Sequence, residues 1–399
     1  MMRRELNFNQ VLRVWRSPCI SLRGRQTLAA ESLHLFAGVV LVLAALASCK
    51  AQPTPTLTPA PTPVLPTATP LSPTPSPEPS EATQGFNSVF ITTDMSSDDF
   101  VALLYLLRHP DVQVLGIGSA DGVAHVGPAA TGVLRLLTLL GREDIPVAVG
   151  SDKHLEGDHS FPNAWRGGAD RLFGLDLPQA KAQPVAASTA ELLAEVVKAH
   201  PGQVTVVLLG AHTDLALALR ANPGLAAQIK AVHMMGGAVH VPGNINAEYG
   251  AVANNTAEWN LWLDYRAAAE VFSSGIPLTM VPLDATNLVR VERADSEQFA
   301  AAAQAPAAKA VAELWKRQSG SFYIWDAVAA VALALPQVMT WESDALAVVT
   351  DKPDDLGQTA LQQGQSPCIS VRGQAPNVRV CIGVDVPALQ DDLIQVLNR

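Results

Sequence analysis

The sequence VFITTDMSSDDFVALLYLLR at residues 89–108 decides the fold. It begins with a short run of bulky apolar residues, Val89–Ile91, which is typical of a buried β-strand. Three carboxylates then fall within six residues, and the following segment, Asp99–Arg108, repeats its apolar side chains at helical spacing. A strand, an acidic loop and a helix in this order are typical of parallel α/β sheets, which bind ligands beyond the carboxyl ends of their strands.

The same alternation continues along the chain. Runs of Val, Ile and Leu between amphipathic segments indicate strands that are covered on both faces. The predicted fold class is therefore α/β, with a doubly wound, mostly parallel sheet and helices on both faces. The further predicted strands are 112–117, 145–149, 204–209, 231–235 and 278–282, and the further predicted helices are 130–140, 190–199, 215–221 and 265–272.

The acidic loop Asp94–Asp99 has two interpretations from its residues alone. In the first, Ser97 or Asp98 caps the following helix and the other acids favour the helix dipole. In the second, a cation relieves the repulsion between clustered carboxylates, whose oxygens suit Ca²⁺. Capping accounts for one or two acids but not for three, and both interpretations stay open at this point.

Five motifs, in order, resemble those of the inosine–uridine nucleoside hydrolase family. The first is the acidic loop, which is similar to the family's Asp-x-Asp-x-x-x-Asp-Asp motif with Thr92 at the first acidic position. The resemblance implies a nucleoside hydrolase-like catalytic domain over residues 85–399 that cleaves the N-glycosidic bond of ribonucleosides to free base and ribose. The other four motifs are Leu209–Ala216, Met234–Asn244, Asn255–Asn260 and Trp325–Ala330.

The resemblance also implies a calcium site and a substrate site. Asp94, Asp99, Asp326 and the backbone carbonyl of Thr213 would hold Ca²⁺, and Asp94 would also take a proton from the attacking water. Carboxylate and amide oxygens around the sugar suit a reaction that builds positive charge on the ribose ring. The substrate-binding residues that the resemblance implies are Asp98, Asp121, Met235, Asn244, Glu258 and Asn260.

Two tryptophans fall near the segments that contact the base in the family. Trp165 follows one of them, and Trp325 stands where some members carry a His before the last metal-binding Asp. Rings on both sides of a base would favour purine nucleosides, whereas the alternative is that each Trp fills the core. Trp259 is interpreted as packing beneath Glu258.

The chain departs from the family pattern in the acidic loop. Thr92 replaces an acid and removes a supporting charge, while Met95 and Ser96 replace the usual Pro-Gly and alter the turn. Calcium binding is expected to persist because the direct acidic ligands remain. The departures also leave two other hypotheses: a lipid-tethered nucleoside- or sugar-binding protein without catalysis, and a hydrolase of non-nucleoside ribosyl compounds.

Residues 1–49 have the pattern of a lipoprotein-type signal peptide. A basic leader precedes the uncharged apolar run Leu33–Ala47, which is short for a membrane span, and the end of the segment resembles a bacterial lipobox. Residues 50–84 form a Pro/Thr-rich linker, for which an extended conformation without a core is expected. We therefore expect an extracytoplasmic protein that is anchored to the membrane by a lipid at Cys49. The alternative is a transmembrane anchor with an incidental Cys.

The composition of the chain limits the kinds of partner that it is expected to bind. The formal net charge of −10 argues against a nucleic-acid partner, and a hydrophobic fraction of 48% over 399 residues is enough for a large core. The family resemblance implies a homodimer or a homotetramer.

Cysteines and histidines give weaker signals. Four Cys are too few for a disulfide scaffold. Cys368 and Cys381 flank a predicted hairpin of strands 368–371 and 378–382, with or without a disulfide across it. The histidines show no metal-type spacing, and His212 and His240 are interpreted as solvated loop residues.

Overall fold

The computed structural model describes residues 87–245, 254–351 and 377–399. The signal peptide at 1–49, the linker at 50–84 and Cys368 lie outside these ranges, so the interpretations made for them stay predictions. Within the described ranges, the helices are all too short or too polar to span a bilayer.

The elements are numbered in chain order. The strands are β1 Asn87–Thr93, β2 Val112–Ser119, β3 Val147–Ala148, β4 Thr205–Leu209, β5 Ala231–Met235, β6 Leu278–Val281, β7 Arg290–Val291, β8 Phe322–Tyr323, β9 Met339–Asp344 and β10 Val378–Val384. The helices are α1 Ser97–Arg108, α2 Val126–Leu140, α3 Asn163–Ala169, α4 Thr189–Ala199, α5 Thr213–Ala221, α6 Trp259–Leu263, α7 Tyr265–Phe272, α8 Leu283–Thr286, α9 Arg293–Ala302, α10 Pro306–Trp315, α11 Trp325–Ala334 and α12 Val386–Leu397.

Eight strands form one sheet in the order β3-β2-β1-β4-β5-β6-β10-β9. All neighbouring pairs are parallel except β9 and β10. The predicted fold class, an α/β doubly wound and mostly parallel sheet, is confirmed. Strand β10 pairs with β6 on one side and with β9 on the other, whereas the hairpin partner predicted for it, 368–371, lies outside the described residues.

The central strands are buried on both faces. Val89 and Ile91 of β1 join one apolar cluster and Phe90, which points the other way, joins a second. Strand β4 divides its side chains in the same manner, with Val207 in the first cluster and Val206 in the second. The helices therefore cover both sides of the sheet, and polar ligand sites are left to the loops at its edge.

Helix starts differ from prediction by up to four residues because side-chain caps and loop contacts place them. Ser96, and neither Ser97 nor Asp98, is the N-cap of α1, and it forms a capping box with Asp99. Helix α2 begins at Val126, ahead of the predicted residue 130, without a side-chain cap from His125.

Two histidines are core residues. His212 is fully buried with its Nε2 3.4 Å from the Met234 sulfur, so the interpretation of His212 as a solvated loop residue is wrong. His233 is also buried and its Nε2 lies 2.8 Å from the Ala329 carbonyl oxygen. Burial lowers the pKa of each to about 4, so both are neutral at physiological pH. His240 is partly exposed and lies 2.5 Å from a carboxylate oxygen of Glu342.

Candidate active site

Three buried carboxylates converge beyond the carboxyl end of β1. Oxygens of Asp98, Asp99 and Asp326 all lie within 4.8 Å of one another. The backbone N–H of Asp326, in the first turn of α11, donates to Asp98 Oδ2 at 3.2 Å. The buried Asp326 Oδ1 has no hydrogen-bond partner among the described residues. A hard cation with oxygen ligands fits this arrangement, because it would neutralise the repulsion and fill the open coordination of Asp326.

Asp94 lies against the same group from the strand side. Its Oδ2 accepts the backbone N–H of Val123 at 2.7 Å, and its charge is adjacent to that of Asp99. Burial, followed by the Asp99 charge, raises the pKa of Asp94 well above its usual range. Of the predicted metal set of Asp94, Asp99, Thr213 and Asp326, the structure thus brings the three carboxylates together. Asp98, which was predicted to bind the sugar, lies in the same carboxylate group.

The unusual loop residues are built into this arrangement. The Thr93 hydroxyl donates to Asp99 Oδ1 at 2.5 Å, and the Ser96 N–H donates to Asp99 Oδ2 at 3.0 Å. Met95 is buried, and its backbone lies in the left-handed region with a φ of 56°. This conformation costs a non-glycine residue about 1 kcal/mol. Thr92 is buried beside them, and its hydroxyl has no partner among the described residues. The altered turn therefore still orients Asp99.

A close approach of backbone to Asp94 explains the need for glycine at position 122. A Cβ at Gly122 would lie 1.9 Å from Asp94 Oδ2, so any larger residue must displace that carboxylate. We expect Gly122→Ala to lower kcat by about 10²-fold, because a catalytic group would shift by an ångström or more. The matched control is Gly127→Ala, since a Cβ at Gly127 meets nothing within 4 Å. Equal activity of the two variants in a ribose-release assay would contradict this account of Asp94.

The predicted sugar ligands meet at the start of α6. Glu258 accepts the N–H groups of Gly237 and Asn260, both at 3.0 Å. The Asn260 amide donates to the Met235 carbonyl oxygen at 3.2 Å, and Asn244 Oδ1 accepts the backbone N–H of residue 259 at 3.2 Å. Burial raises the pKa of Glu258 to about 7, with the Asp98 charge as a smaller contribution in the same direction. The structure therefore brings Met235, Asn244, Glu258 and Asn260 together.

Glu258 also stabilises the fold locally as the N-cap of α6. We expect Glu258→Gln to lower the free energy of unfolding by about 1–3 kcal/mol, because the side-chain amide would face backbone donors and leave one unsatisfied. Chemical denaturation measures the loss. Glu195→Gln, on the exposed face of α4, is the control and should unfold like the wild type.

Asp121 and Thr213 have partners that the sequence did not indicate. Asp121 binds the guanidinium of Arg166, with Nη2 2.5 Å from Oδ1, and lies 3.3 Å from Nε2 of His154. Burial raises the pKa of Asp121, but the hydrogen bonds from His154 and Arg166 outweigh it and lower the pKa overall. The Thr213 hydroxyl donates to the fully buried Asp264 at 2.7 Å. Asp121 is thus held by an ion pair, and the sugar contact predicted for it stays a prediction.

The two predicted base-stacking tryptophans have separate neighbours. Trp165 is 36% exposed and its ring lies 6.0 Å from that of Trp259. Trp325 stacks on Tyr323 and donates its indole N–H to Asn287 at 2.8 Å. Trp259 is buried, as the packing interpretation requires. The stacking of a base between the rings of Trp165 and Trp325 stays a prediction.

Comparison with known proteins identifies relatives along nearly the whole described domain. Residues 89–391 match the family model described as inosine-uridine preferring nucleoside hydrolase. The pyrimidine-specific ribonucleoside hydrolase RihA of Citrobacter koseri is 31% identical over 319 residues, which cover 77% of this chain and 97% of that protein.

Solved structures agree on the fold. The inosine-uridine preferring nucleoside hydrolase from Bacillus anthracis superposes with a TM-score of 0.68 at 23% identity, covering 78% of this chain and 99% of its own. The purine-preferring ribonucleoside hydrolase from Gardnerella vaginalis gives a TM-score of 0.67 at 22% identity, covering 78% and 98%. At these identities the two likenesses show the fold alone.

Proposed function

The chain belongs to the inosine-uridine preferring nucleoside hydrolase family and is a ribonucleoside hydrolase, and on this premise we propose that it hydrolyses pyrimidine ribonucleosides with the help of a calcium ion. The observation that carries the proposal is the buried group of Asp98, Asp99 and Asp326 at the carboxyl edge of the sheet. Such a group without a cation would leave mutually repelling charges out of water.

The acidic side chains have different roles in binding the ion and in accepting the proton. Asp99 and Asp326 would hold the ion, with Asp94 and the Thr213 carbonyl as the further ligands that the family pattern implies. When bound, calcium supplies a lowered pKa to an attacking water. Asp94 accepts the proton of that water as the general base.

A second set of side chains receives the sugar. Asp98, Asn244, Glu258 and Asn260 bind the ribose hydroxyls, and their carboxylates face the positive charge that develops on the ring as the bond to the base lengthens. Glu258 and Asn260 are fixed by hydrogen bonds at the start of α6, so this set is formed before substrate arrives.

The base preference rests on the relatives. The 31%-identical relative is pyrimidine-specific, whereas the purine-preferring structure is only 22% identical. We therefore place pyrimidine nucleosides first, and the purine preference drawn from the two Trp residues stays an untested prediction.

A panel assay tests this function. The full chain with saturating Ca²⁺ is given uridine, cytidine, inosine and adenosine, and released ribose is measured. Uridine and cytidine are expected to react fastest. Faster inosine hydrolysis would restore the purine assignment. Nucleoside binding without ribose from any of the four would instead support the binding-protein hypothesis.

For the residues before the domain we propose export and lipid anchoring at Cys49. The support is the basic leader, the apolar run Leu33–Ala47 and the Pro/Thr-rich linker. Cys49→Ala is expected to move the protein from the membrane fraction to the soluble fraction of the producing cell, and continued membrane association would count against a lipid anchor.

Light scattering on the purified domain measures whether it forms the expected homodimer or homotetramer.

A further inference from the structure

A second polar feature lies beside the acidic group. A cavity of about 610 Å³ is lined by residues that include Asp121, His154, His159 and Arg166. Arg166 and Asp121 are only 6% and 7% exposed, so their ion pair is a buried part of the cavity wall. A buried cation beside a cavity of this size is an arrangement suited to an oxygen-bearing ligand.

Two chain segments link the wall of this cavity to the acidic group and to the predicted sugar-binding residues. The loop that carries Asp121 continues through Gly122 to Val123, whose N–H holds Asp94. On the other side, Arg166 follows Trp165, whose ring contacts Trp259 between the sugar-binding residues of α6. The Asp121–Arg166 ion pair is therefore one residue from the close contact of Gly122 with Asp94 on one side, and one residue from the ring that lies near Trp259 on the other.

Arg166 has donors to spare. Asp121 occupies one N–H on each terminal nitrogen of the guanidinium, at 2.5 and 3.4 Å. The buried Nε has no hydrogen-bond partner among the described residues. Asp121 thus holds the guanidinium in place and leaves its Nε donor unused.

We propose that Arg166 contacts the departing base and stabilises it as an anion. The inference rests on the proposed hydrolysis of pyrimidine ribonucleosides. The water oxygen bonds to C1′, its proton passes to Asp94, and the C1′–N1 bond breaks with its electron pair on the base. In a pyrimidine that negative charge spreads to O2, which is adjacent to N1, and the Arg166 guanidinium receives it. Protonation of the anion by solvent then gives the neutral base.

The test compares two leaving groups in the full chain. Uridine releases a strongly basic anion, whereas 4-nitrophenyl β-D-ribofuranoside releases a stable phenolate that needs no such help. Arg166→Gln is expected to lower kcat/KM for uridine by about 10²-fold and for the nitrophenyl riboside by less than about threefold. The double variant Asp121→Asn/Arg166→Gln removes the unpaired buried carboxylate and should show the same selectivity if the single variant folds poorly.

Each result is decisive. Selective loss on uridine with unchanged calcium affinity supports the leaving-group contact. Equal loss on both substrates, or no loss on uridine, overturns it and leaves Arg166 a structural ion-pair partner. A wild type that hydrolyses neither substrate overturns the proposed function itself, and a wild type active on the nitrophenyl riboside alone overturns the pyrimidine assignment.

Discussion

Asp94→Asn is expected to lower kcat for uridine by about 10²- to 10⁴-fold at saturating Ca²⁺, because it removes the group that accepts the proton of the attacking water. The substitution is nearly isosteric, and the amide oxygen can still accept the Val123 N–H that holds Asp94 at 2.7 Å. Asp99 and Asp326 remain to bind the ion, so calcium affinity is expected to fall but not to vanish.

The measurement is a calcium titration of ribose release, so that kcat is compared at saturation for each protein. Asp176→Asn, at an exposed position, is the control for the same chemical change and should behave as wild type. Wild-type activity in Asp94→Asn would remove Asp94 from the mechanism. A loss restored fully by more Ca²⁺ would reduce Asp94 to a ligand.

Calcium is expected to stabilise the fold, and to do so more strongly as pH rises. In the metal-free protein, burial raises the pKa of Asp94, Asp99 and Asp326, and repulsion from neighbouring carboxylates raises it further. The unfolded chain ionises these groups near pH 4, so the folded protein holds more protons above that pH. Metal-free stability therefore falls as pH rises from about 4 toward the raised pKa values, and bound calcium replaces those protons.

At a calcium concentration of 100 times the dissociation constant, the added stability is about 2.7 kcal/mol, which raises the melting temperature of a domain of about 300 residues by about 4 °C. Thermal unfolding of metal-free and calcium-loaded protein at about pH 5 and about pH 8 measures the effect, with the larger shift expected at the higher pH. Asp326→Asn should lose most of the shift. An equal melting temperature with and without calcium in the wild type would contradict a metal at this group.

The sequence was sufficient to predict the α/β architecture, because strands that are buried on both faces appear as continuous runs of apolar residues. The β1 residues Val89–Ile91 and the all-buried β4 were recognisable in this way. The strand predicted at 145–149 contains β3, but its two-residue length and the early start of α2 were not predictable, because a two-residue strand and a helix start without a side-chain cap leave little periodic signal.

The site was predictable where its residues share a short motif. The acidic loop and Glu258–Asn260 each lie within a few residues, and the structure brings each set together. The Asp121–Arg166 ion pair joins residues 45 positions apart, and the Thr213–Asp264 bond joins residues 51 apart. Such pairs depend on loop paths that no local pattern records, so the sequence does not indicate Arg166 or Asp264 as partners.

The most direct test of the account is the release of ribose from uridine by metal-free full chain while Ca²⁺ is added back. A calcium-dependent hydrolase releases no ribose above background without calcium and regains activity saturably when calcium is added, and in Asp99→Asn that curve is expected to shift to higher calcium concentrations. Undiminished ribose release in the presence of excess chelator would contradict this dependence on calcium.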